Sequence, residues 1–494
     1  MRLDSEWGGW IPVHDKDVRW RSSRALVVKL VSIALLVVAC KRDEAPAKTA
    51  TVTLGQVIDR TGSIATPSWA DSIRLAVGTA NQALRKAGRT DVRFALVEAN
   101  SGNAPDTARA GAIQTVRKQG AKAIITDSSQ DDIAISMLAY DGDPAHQLDV
   151  PVVCMACTSA GINNPEAKDA DLVKQAALRN GAGWNFRTTM SDAYQARMLA
   201  RYFVAHGDIT GDGKLKLALY ASDDPYGHGF SDSLKSGVLK LAPEASVEQI
   251  FHDVKAIAAE YNWAADVARL VDRKNENTAQ ADGLPDAVVV ISFPKFEINF
   301  TKAYIESNTK VRLFHTHNFR AIRVIEALGL AIENHEGSSQ AVLGEGPSAI
   351  AFSEDLRALN GQVPAFRDAT AYDAAMSLML ATLHALRQNR LQDAEQVTGA
   401  MIRDSMRAVQ QRGGEPVYAG INGFARAAQA IAEDKAINYS GASGPVDYDE
   451  YGDVVAQLAR FRVQSGTFVD VERFDCLRDR DCPHVPQAVS HVAR

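Results

Sequence analysis

The sequence predicts an α/β protein built as two doubly wound, parallel-sheet lobes of the Rossmann type. Three observations lead to this prediction: the length of 494 residues, a composition of 46% hydrophobic and 23% charged residues, and a regular alternation of β-rich and helix-rich segments from Thr51 onward. A chain of this length exceeds the size at which a single core stops growing, so two lobes are expected. The composition is that of a folded globular protein and excludes general disorder.

The first part of the alternating pattern predicts the first lobe. Strands are predicted over 51–58, 92–97, 121–126 and 150–154, with helices over 71–87 and 107–119. Apolar residues recur at helical spacing in 71–87, as in an amphipathic helix that covers a sheet. Strands that alternate with helices favour a parallel sheet.

After residue 189 the pattern restarts, which indicates the second lobe. Ser191 is a favourable N-cap for a helix that runs to Ala205, and Gly207 is a favourable stop. Four strands and two helices are predicted to follow: strands 215–220, 245–251, 287–292 and 311–315, and helices near 230–241 and 261–272. The third part contains a return crossing within 341–352, an apolar helix over 370–388, an amphipathic helix over about 393–410, and short strands between 440 and 463.

A short apolar run near the N-terminus indicates export. Residues 30–39 (LVSIALLVVA) follow four basic residues, and ten residues are too few to cross a membrane as a helix, so we interpret them as a signal segment. The run ends at Cys40 in a sequence that resembles the lipobox of bacterial lipoproteins. We therefore expect residues 1–39 to be a signal peptide with an upstream extension, Cys40 to be lipidated, and 40–50 to be a flexible tether. The alternative is a buried apolar strand or helix with an incidental cysteine.

Four further cysteines follow, namely Cys154, Cys157, Cys476 and Cys482, and they are disulfide candidates because export leads to an oxidising compartment. Cys154 and Cys157 also have the spacing of a redox motif, so a redox enzyme remains an alternative to a structural pair. Such an enzyme would need an exposed thiol with a low pKa.

The net charge of −6 and the absence of a basic stripe in the sequence make nucleic acid an unexpected partner. The sequence contains no Ser-His-Asp order, no pair of histidines at helical spacing for zinc, and no phosphate loop ending in Gly-Lys-Ser/Thr. We therefore expect no catalytic residues, no metal and no cofactor.

Small hydroxyl residues follow two neighbouring predicted strands. Ser128 and Ser129 follow strand 121–126, and Thr158 and Ser159 follow strand 150–154. In open α/β sheets, ligands bind beyond the carboxyl ends of the strands, so these residues are candidates to hold an anionic group. The alternative is that they only cap the helices that follow.

Four phrases together resemble the branched-chain amino acid binding proteins of ABC transporters, the type I periplasmic binding protein family. They are 186–192 (FRTTMSD), 226–230 (YGHGF), 156–159 (ACTS) after VPV, and 444–449 (GPVDYD) with Gly452-Asp453. The resemblance covers about 51–463. It implies two lobes joined by three crossings, with lobe one at 51–189 and 342–425, lobe two at 190–341 and 426–475, and a tail at 476–494.

The resemblance also implies a binding site. It assigns a carboxylate-binding role to Ser128 or Ser129 and to Thr158, and it adds the backbone of Ala156. Aromatic walls would be Tyr226 and Phe293, with Trp69 as a roof. The alternative for each aromatic residue is ordinary packing.

Amino acid binders of this family hold the ammonium group with a carboxylate where this sequence reads His315-Thr316-His317-Asn318. The missing acid argues against an ordinary α-amino acid, since a buried ammonium would be poorly paired. A neutral His317 would suit an amide or a short peptide-like molecule better.

The prediction is thus a periplasmic or cell-surface lipoprotein that binds a small amino-acid-like, amide or peptide-like ligand, serves an ABC transporter permease, and contacts the membrane through its lipid. The alternative is a lipoprotein that regulates or scaffolds a protein partner and binds no solute.

Overall fold

The computed structural model describes residues 49–139, 143, 145–163, 183–209, 211–254, 261–271, 284–341, 346–365, 367–479 and 481–485. Cys40, the predicted signal segment and almost all of the predicted tether lie outside the described residues. The residues from Thr49 onward belong to one compact unit.

The first sheet has five strands in the order β2-β1-β3-β4-β5, and all of its strand pairs are parallel. Its strands are β1 (Ala50–Ile58), β2 (Val92–Asn100), β3 (Ala121–Thr126), β4 (Val152–Cys154) and β5 (Asn185–Arg187). Helices α1 (Pro67–Lys86), α2 (Pro105–Ile113) and α3 (Ser129–Ala139) connect the first four strands. Helix α1 buries the predicted apolar face, including Ile73, Ala76 and Ala80.

The second sheet is built around five parallel strands: β6 (Lys216–Ser222), β7 (Ser246–His252), β8 (Ala287–Ile291), β9 (Arg312–His315) and β10 (Glu336–Gln340). The intervening helices are α4 (Asp192–His206), α5 (Pro225–Leu241), α6 (Trp263–Val271), α7 (Pro294–Glu306) and α8 (Ile322–Leu328). Strand β8 reads AVVVI and is buried along its whole length, as expected for a central parallel strand. Ser191 caps α4 by accepting a hydrogen bond from the Ala193 amide, as predicted.

The chain then returns to the first lobe. Helices α9 (Pro347–Asn360), α10 (Asp368–Gln388), α11 (Gly399–Ser405) and α12 (Gly420–Ala432) follow, and α9, α10 and α12 pack against α1. Strands β11 (Glu415–Tyr418), β12 (Ile437–Gly441) and β13 (Gly444–Pro445) form a separate three-stranded sheet. The strongly apolar α10 is buried along most of its length, in agreement with the prediction for 370–388.

Three antiparallel strands complete the second sheet: β14 (Gln457–Gln464), β15 (Thr467–Asp475) and β16 (His484–Val485). The chain therefore passes between the lobes after β5, after β10, and between β13 and β14. We propose that the third passage falls between Pro445 and Gln457, later than the predicted 425–426, because β12 pairs with β11.

One predicted helix is broken. Within 393–410 the structure has a 3-10 turn over Ala394–Gln396 and then the short α11. Thr398 starts α11 by capping Met401, and a Cβ at Gly399 would lie 2.1 Å from the Asp149 carbonyl oxygen. The close approach requires glycine at position 399, and the extended backbone of Thr398 (φ −107°, ψ 159°) interrupts the helix. The α/β class with parallel sheets is confirmed.

Candidate ligand-binding site

Residues that follow the strands of the two sheets meet in a cleft between the lobes. The Asp192 amide at the start of α4 donates to the Thr158 carbonyl beyond β4, at 2.7 Å. Arg367 Nη1, before α10, donates to Asn318 Oδ1 beyond β9, at 3.3 Å. The carboxyl ends of parallel strands are where open α/β sheets bind ligands, so this cleft is the candidate site.

The four hydroxyl residues predicted for the first lobe, namely Ser128, Ser129, Thr158 and Ser159, are all buried. Ser128 Oγ accepts a hydrogen bond from the Asp131 amide at 3.2 Å, which is the capping role considered as the alternative. Ser129 Oγ accepts from the Ser159 amide at 3.3 Å, so the two predicted loops are in direct contact. A hydroxyl that accepts one hydrogen bond still has a proton to donate, so capping does not exclude ligand binding.

Ala156 and Thr158 lie in a loop fixed by a disulfide. Cys154 and Cys157 are bonded to each other, with 5.6 Å between their Cα atoms, and both are fully buried. Arg187 Nη1 also donates to the carbonyl of Ser159, at 2.7 Å. A buried, bonded pair differs from the exposed thiol that the redox alternative requires.

The second lobe contributes an aromatic wall. The Tyr226 ring lies 5.5 Å from the Phe293 ring and 5.2 Å from the His317 ring, and Tyr226 Oη is hydrogen-bonded to Thr316 Oγ1 at 3.0 Å. Burial raises the pKa of Tyr226 well above its usual value, so the phenol stays protonated. The three aromatic rings predicted from the second lobe thus form one contiguous group.

The two predicted histidines have separate surroundings. His317 Nδ1 lies 3.0 Å from Gln195 Oε1 and 3.7 Å from Asp192 Oδ1. His315 stacks on Phe319 with 3.4 Å between ring centroids. Burial lowers the pKa of His317 well below its usual value, and the charge of Arg367 adds to this effect, so the ring is neutral.

Arg367 and Asp192 also reach this cluster, and the sequence argument did not select them as site residues. Arg367 is buried at the N-terminus of α10 in the left-handed region, with φ 70°. Burial lowers the pKa of Arg367 to about 10, while Tyr226, Asp192 and Asp127 act in the opposite direction. Asp192 belongs to the FRTTMSD phrase, and the resemblance carried by that phrase could have identified Asp192 as a site residue. No local pattern marked Arg367.

Burial raises the pKa values of two carboxyl groups near the cleft. Burial raises the pKa of Asp127 well above its usual value, and nearby Asp131 adds to the increase. Burial likewise raises the pKa of Glu297, which Arg323 only partly offsets. Neutral carboxyl groups can donate hydrogen bonds as well as accept them.

An open cavity of about 160 Å³ lies between the lobes next to this cluster. The first lobe lines it with Ile64, Pro67 and Trp69, and the second lobe with Pro294, Asn318 and Ile322. Trp69 is therefore placed on the cavity wall, as a roof residue would be. Ser128, Thr158 and Tyr226 are buried and do not line this cavity.

Arg323 on α8 links the lobes at the rim of the cavity. Its Nη1 donates to the Ala65 carbonyl and its Nη2 to the Ser63 carbonyl, each at 3.1 Å. The loop that carries both carbonyls is shaped by Asp59, whose carboxylate accepts hydrogen bonds from the Thr61 and Ile64 amides at 3.0 Å. The two lobes are thus held together around the cavity.

Two α/β lobes that enclose a buried polar cleft define a two-lobed ligand-binding protein. The model of the periplasmic binding protein family matches residues 51–437, and this chain belongs to that family. The fold is that of the type I periplasmic binding proteins, as predicted. None of the curated proteins matches the sequence.

Solved structures show the same fold at low sequence identity. A leucine-binding protein from Thermotoga maritima is 18% identical, with 85% of this chain and 98% of that chain covered and a TM-score of 0.61. A solute-binding protein of an ABC transporter from R. palustris, in complex with benzoate, is 14% identical, with 89% and 98% covered and a TM-score of 0.62. A branched-chain amino acid binding protein from Streptococcus pneumoniae, in complex with isoleucine, is 14% identical, with 85% and 99% covered and a TM-score of 0.58.

Family membership establishes the general role. The chain is a periplasmic binding protein rather than an enzyme, and it acts outside the cytoplasm. Among the described residues, no helix has the length and apolar character needed to span a membrane.

Proposed function

We propose that this chain is a lipid-anchored receptor that captures a small polar or amino-acid-like solute in the interlobe cleft and delivers it to an ABC transporter permease. The observation that carries the proposal is the buried cluster in which Thr158, Asp192, Tyr226, His317 and Arg367 from both lobes come together. Buried polar groups converging on a cavity between two lobes are typical of a ligand site.

The first lobe would bind the polar head of the solute. In this arrangement Ser128, Ser129, Thr158 and Ser159 supply hydroxyl groups, and the loop at Ala156 supplies backbone amides. These groups lie at the start of α3 or beside it, where the helix dipole favours negative charge. A carboxylate or an amide oxygen would suit them.

The second lobe would cover the rest of the solute. Tyr226, Phe293 and His317 offer a large, rigid contact surface at low entropic cost, and Trp69 closes the cavity from the opposite lobe. Closure of the lobes removes the solute from water and strengthens its hydrogen bonds.

The lipid anchor is a separate part of the proposal. It rests on Cys40 after the apolar run 30–39, with a polar segment following. Mass spectrometry of protein from membranes should find a diacylglyceryl group on Cys40, and Cys40→Ser should release the protein into the soluble fraction. Membrane retention of the serine variant would contradict the anchor.

Thermal shift with a metabolite library tests solute binding. A ligand at 100 times its Kd stabilises the native state by about 2.7 kcal/mol, which is readily measured. Tyr226→Ala should abolish the shift, whereas Lys302→Ala, at an exposed position on α7, should keep it. A library without any stabilising compound would contradict the proposal.

A second candidate function is regulation or scaffolding of a protein partner without a solute. It is favoured by the contacts that the site residues make with one another, such as Ser129 with Ser159 and Tyr226 with Thr316. In that case co-purification from membranes should recover the same partner with wild-type protein and with Tyr226→Ala.

A further inference from the structure

We propose that Cys154 and Cys157 form a reducible disulfide, and that its oxidation state controls the order of the cleft loop, residues 155–159. The proposal goes beyond solute binding and does not depend on which solute binds. A redox enzyme needs an exposed, reactive thiol, whereas a pair that only responds to its redox surroundings needs no turnover. Two observations carry the proposal: a buried carboxyl group beside the two sulfur atoms, and the place of the pair at the base of the loop.

Asp132, on α3, lies beside the disulfide. A carboxylate oxygen of Asp132 and the Sγ atoms of Cys154 and Cys157 all lie within 4.8 Å of one another, and the three residues are fully buried. Asp132 Oδ2 accepts a hydrogen bond from Asn185 Nδ2 at 2.6 Å. Among the described residues, Asp132 Oδ1 has no hydrogen-bond partner. A buried polar atom without a partner is costly, so the oxidised protein is destabilised at this atom.

Reduction of the disulfide supplies the missing partner. A disulfide sulfur has no proton to donate, whereas a thiol can donate one hydrogen bond and weakly accept another. When the S–S bond breaks, the sulfur atoms move apart, and one thiol can approach Oδ1 whether the Asp132 carboxyl is ionised or protonated. The carboxyl therefore stabilises the reduced pair relative to the oxidised pair, and the disulfide is easier to reduce than one without such a neighbour.

The co-reactant of this exchange is a dithiol. One thiolate of the dithiol attacks a sulfur of the pair, and the S–S bond breaks to give a mixed disulfide and one cysteine thiolate, which takes up the proton that the attacking thiol released. The second thiol of the reagent then attacks the mixed disulfide in the same way. Two electrons and two protons pass to the protein, which gains two thiols, and the reagent leaves as its own disulfide.

The pair closes the base of the cleft loop. Cys154 ends β4, and the Cys157 amide donates to Cys154 Sγ at 3.1 Å. The loop then continues through Thr158, whose carbonyl accepts from the Asp192 amide at 2.7 Å, and Ser159, which is held by Arg187. Reduction removes the only covalent link within this loop and leaves these hydrogen bonds to hold it. The wall of the proposed solute site therefore becomes less ordered in the reduced protein.

Thiol trapping in dithiothreitol redox buffers, followed by mass spectrometry, measures both disulfides of the full chain together. The pair Cys476–Cys482 is the internal reference, since among the described residues no histidine or carboxylate lies within 4.8 Å of both its sulfurs. We expect Cys154–Cys157 to be reduced at least tenfold more readily, which for a two-electron exchange corresponds to about 30 mV.

The variant Asp132→Ala tests the role of the carboxyl group. It should make Cys154–Cys157 at least tenfold harder to reduce, because the thiols lose their partner. Glu297→Ala is the matched control and should leave the equilibrium unchanged, since it removes an equally buried carboxyl group, also without a partner among the described residues, from α7. If Asp132→Ala does not fold, the comparison of the two disulfides in the unmodified protein remains decisive.

Hydrogen exchange measured by mass spectrometry tests the loop without any solute. Reduction of the protein should speed exchange of the Cys157 and Ser159 amides at least tenfold, and Cys154→Ser/Cys157→Ser should speed exchange of the Ser159 amide equally. The double variant Cys476→Ser/Cys482→Ser should leave both amides as in the oxidised wild type.

The outcomes separate this proposal from the proposed function. Equal reduction of the two disulfides, reduction of Cys154–Cys157 only on unfolding, or unchanged exchange of the loop in the reduced protein would each overturn the redox proposal. None of these measurements involves a solute, so each of these results leaves the proposed solute-binding function intact. A metabolite library without any stabilising compound would contradict solute binding and leave the redox result unaffected.

Discussion

Arg187 joins three segments that are far apart in the sequence. Its Nε donates to Asp453 Oδ1 at 2.7 Å, its Nη2 pairs with Asp453 Oδ2, and its Nη1 donates to the Ser159 carbonyl. The side chain is completely buried, so each of its donors needs a partner within the protein. One residue of β5 thereby fixes both the cleft loop at Ser159 and the loop at Asp453.

Replacement of Arg187 should be strongly destabilising. Arg187→Ala leaves the Asp453 carboxylate buried without its cation, which typically costs about 3–5 kcal/mol of the free energy of unfolding. Urea denaturation measures this change. The matched control is Arg387→Ala, which removes the exposed pair with Asp434 and should leave the unfolding midpoint unchanged. Equal midpoints for the two variants would contradict the structural role of Arg187.

Asp132 should make stability depend on pH. Burial raises the pKa of this carboxyl to about 7 in the folded protein, against about 3.9 in an unfolded chain. The folded state therefore binds more protons between these values, and stability falls as the pH rises from about 4 to about 7.

The variant Asp132→Asn should remove this dependence. Its amide oxygen can accept the bond from Asn185 Nδ2, and the variant should gain stability relative to the wild type by about 1 kcal/mol per pH unit across that window. Urea denaturation at several pH values provides the measurement. The control variant Asp404→Asn, at an exposed position, should show the same pH dependence of stability as the wild type. A constant difference between Asp132→Asn and wild type would contradict the raised pKa.

Part of the candidate site could be predicted from the sequence. Tyr226, Phe293 and His317 follow recognisable strands or phrases, and the structure brings them together. Arg367 was not predicted as a site residue because a single buried cation before a helix produces no periodic pattern in the sequence. Its approach to Asn318 depends on how α10 and β9 pack, which local sequence does not encode.

At the scale of elements, glycines permit the helices to start close to the preceding strands. A Cβ at Gly227 in the first turn of α5 would lie 2.0 Å from the Ser222 carbonyl oxygen of β6. At Gly423 in α12 the corresponding distance is 1.9 Å to the Tyr418 carbonyl oxygen of β11. Both positions require glycine because each helix begins so close to the preceding strand that a side chain would overlap a strand carbonyl oxygen.

Two glycine-to-alanine substitutions should therefore have opposite effects. Gly227→Ala should destabilise the protein and weaken solute binding, because α5 must shift and Tyr226 shifts with it. Gly78→Ala, in the middle of α1 with nothing within 4 Å of the new methyl group, should stabilise the protein by about 1 kcal/mol through helix propensity. Thermal unfolding distinguishes them. A stabilised Gly227→Ala variant would show that the close approach is not required.

Most strands were predictable because short apolar runs between turn residues mark buried parallel strands. Helices α7, α8, α9 and α12 were not predicted. In α7 the residues Phe296, Phe300 and Tyr304 recur every four positions on the buried face, so this helix could have been predicted from its periodicity. Helix α12 opens with Gly420 and Gly423, and the low helix propensity of glycine weakens the local signal there. The predicted helix over 393–410 was wrong because Thr398 restarts the helix after a turn.

At the scale of the whole molecule, Arg323 is the clearest contact that holds the lobes together outside the buried cluster. Its two donors bind carbonyls of Ser63 and Ala65 on the opposite lobe. Hydrogen bonds to a charged group are stronger than neutral ones, so this contact favours the closed arrangement.

The variant Arg323→Ala should shift the population towards an open form. Small-angle scattering of the solute-free protein should show a larger radius of gyration, and apparent solute affinity should fall because fewer molecules are closed. Saturating solute should restore the wild-type radius. Lys302→Ala on α7 is the matched control and should behave as the wild type. Identical scattering curves for Arg323→Ala and wild type without solute would rule out this role.

The order of four phrases along the chain was enough to predict the family and the fold. Our proposal for the position of the third passage rests on the pairing of β12 with β11, which joins segments about twenty residues apart and depends on the packing of α12 between them. Contacts of this kind are decided by tertiary structure rather than by local pattern.

The passages between the lobes run side by side, with Met190 bridged to Val454 and the Met190 amide donating to Gln340 Oε1 at 3.4 Å. Any bending of the molecule must be concentrated in this narrow bundle of chain. Dyes attached at Arg109 on α2 and at Arg269 on α6, both exposed and on different lobes, would therefore change their separation when the molecule bends there. A doubly labelled protein would act as an optical sensor for whatever compound occupies the cleft.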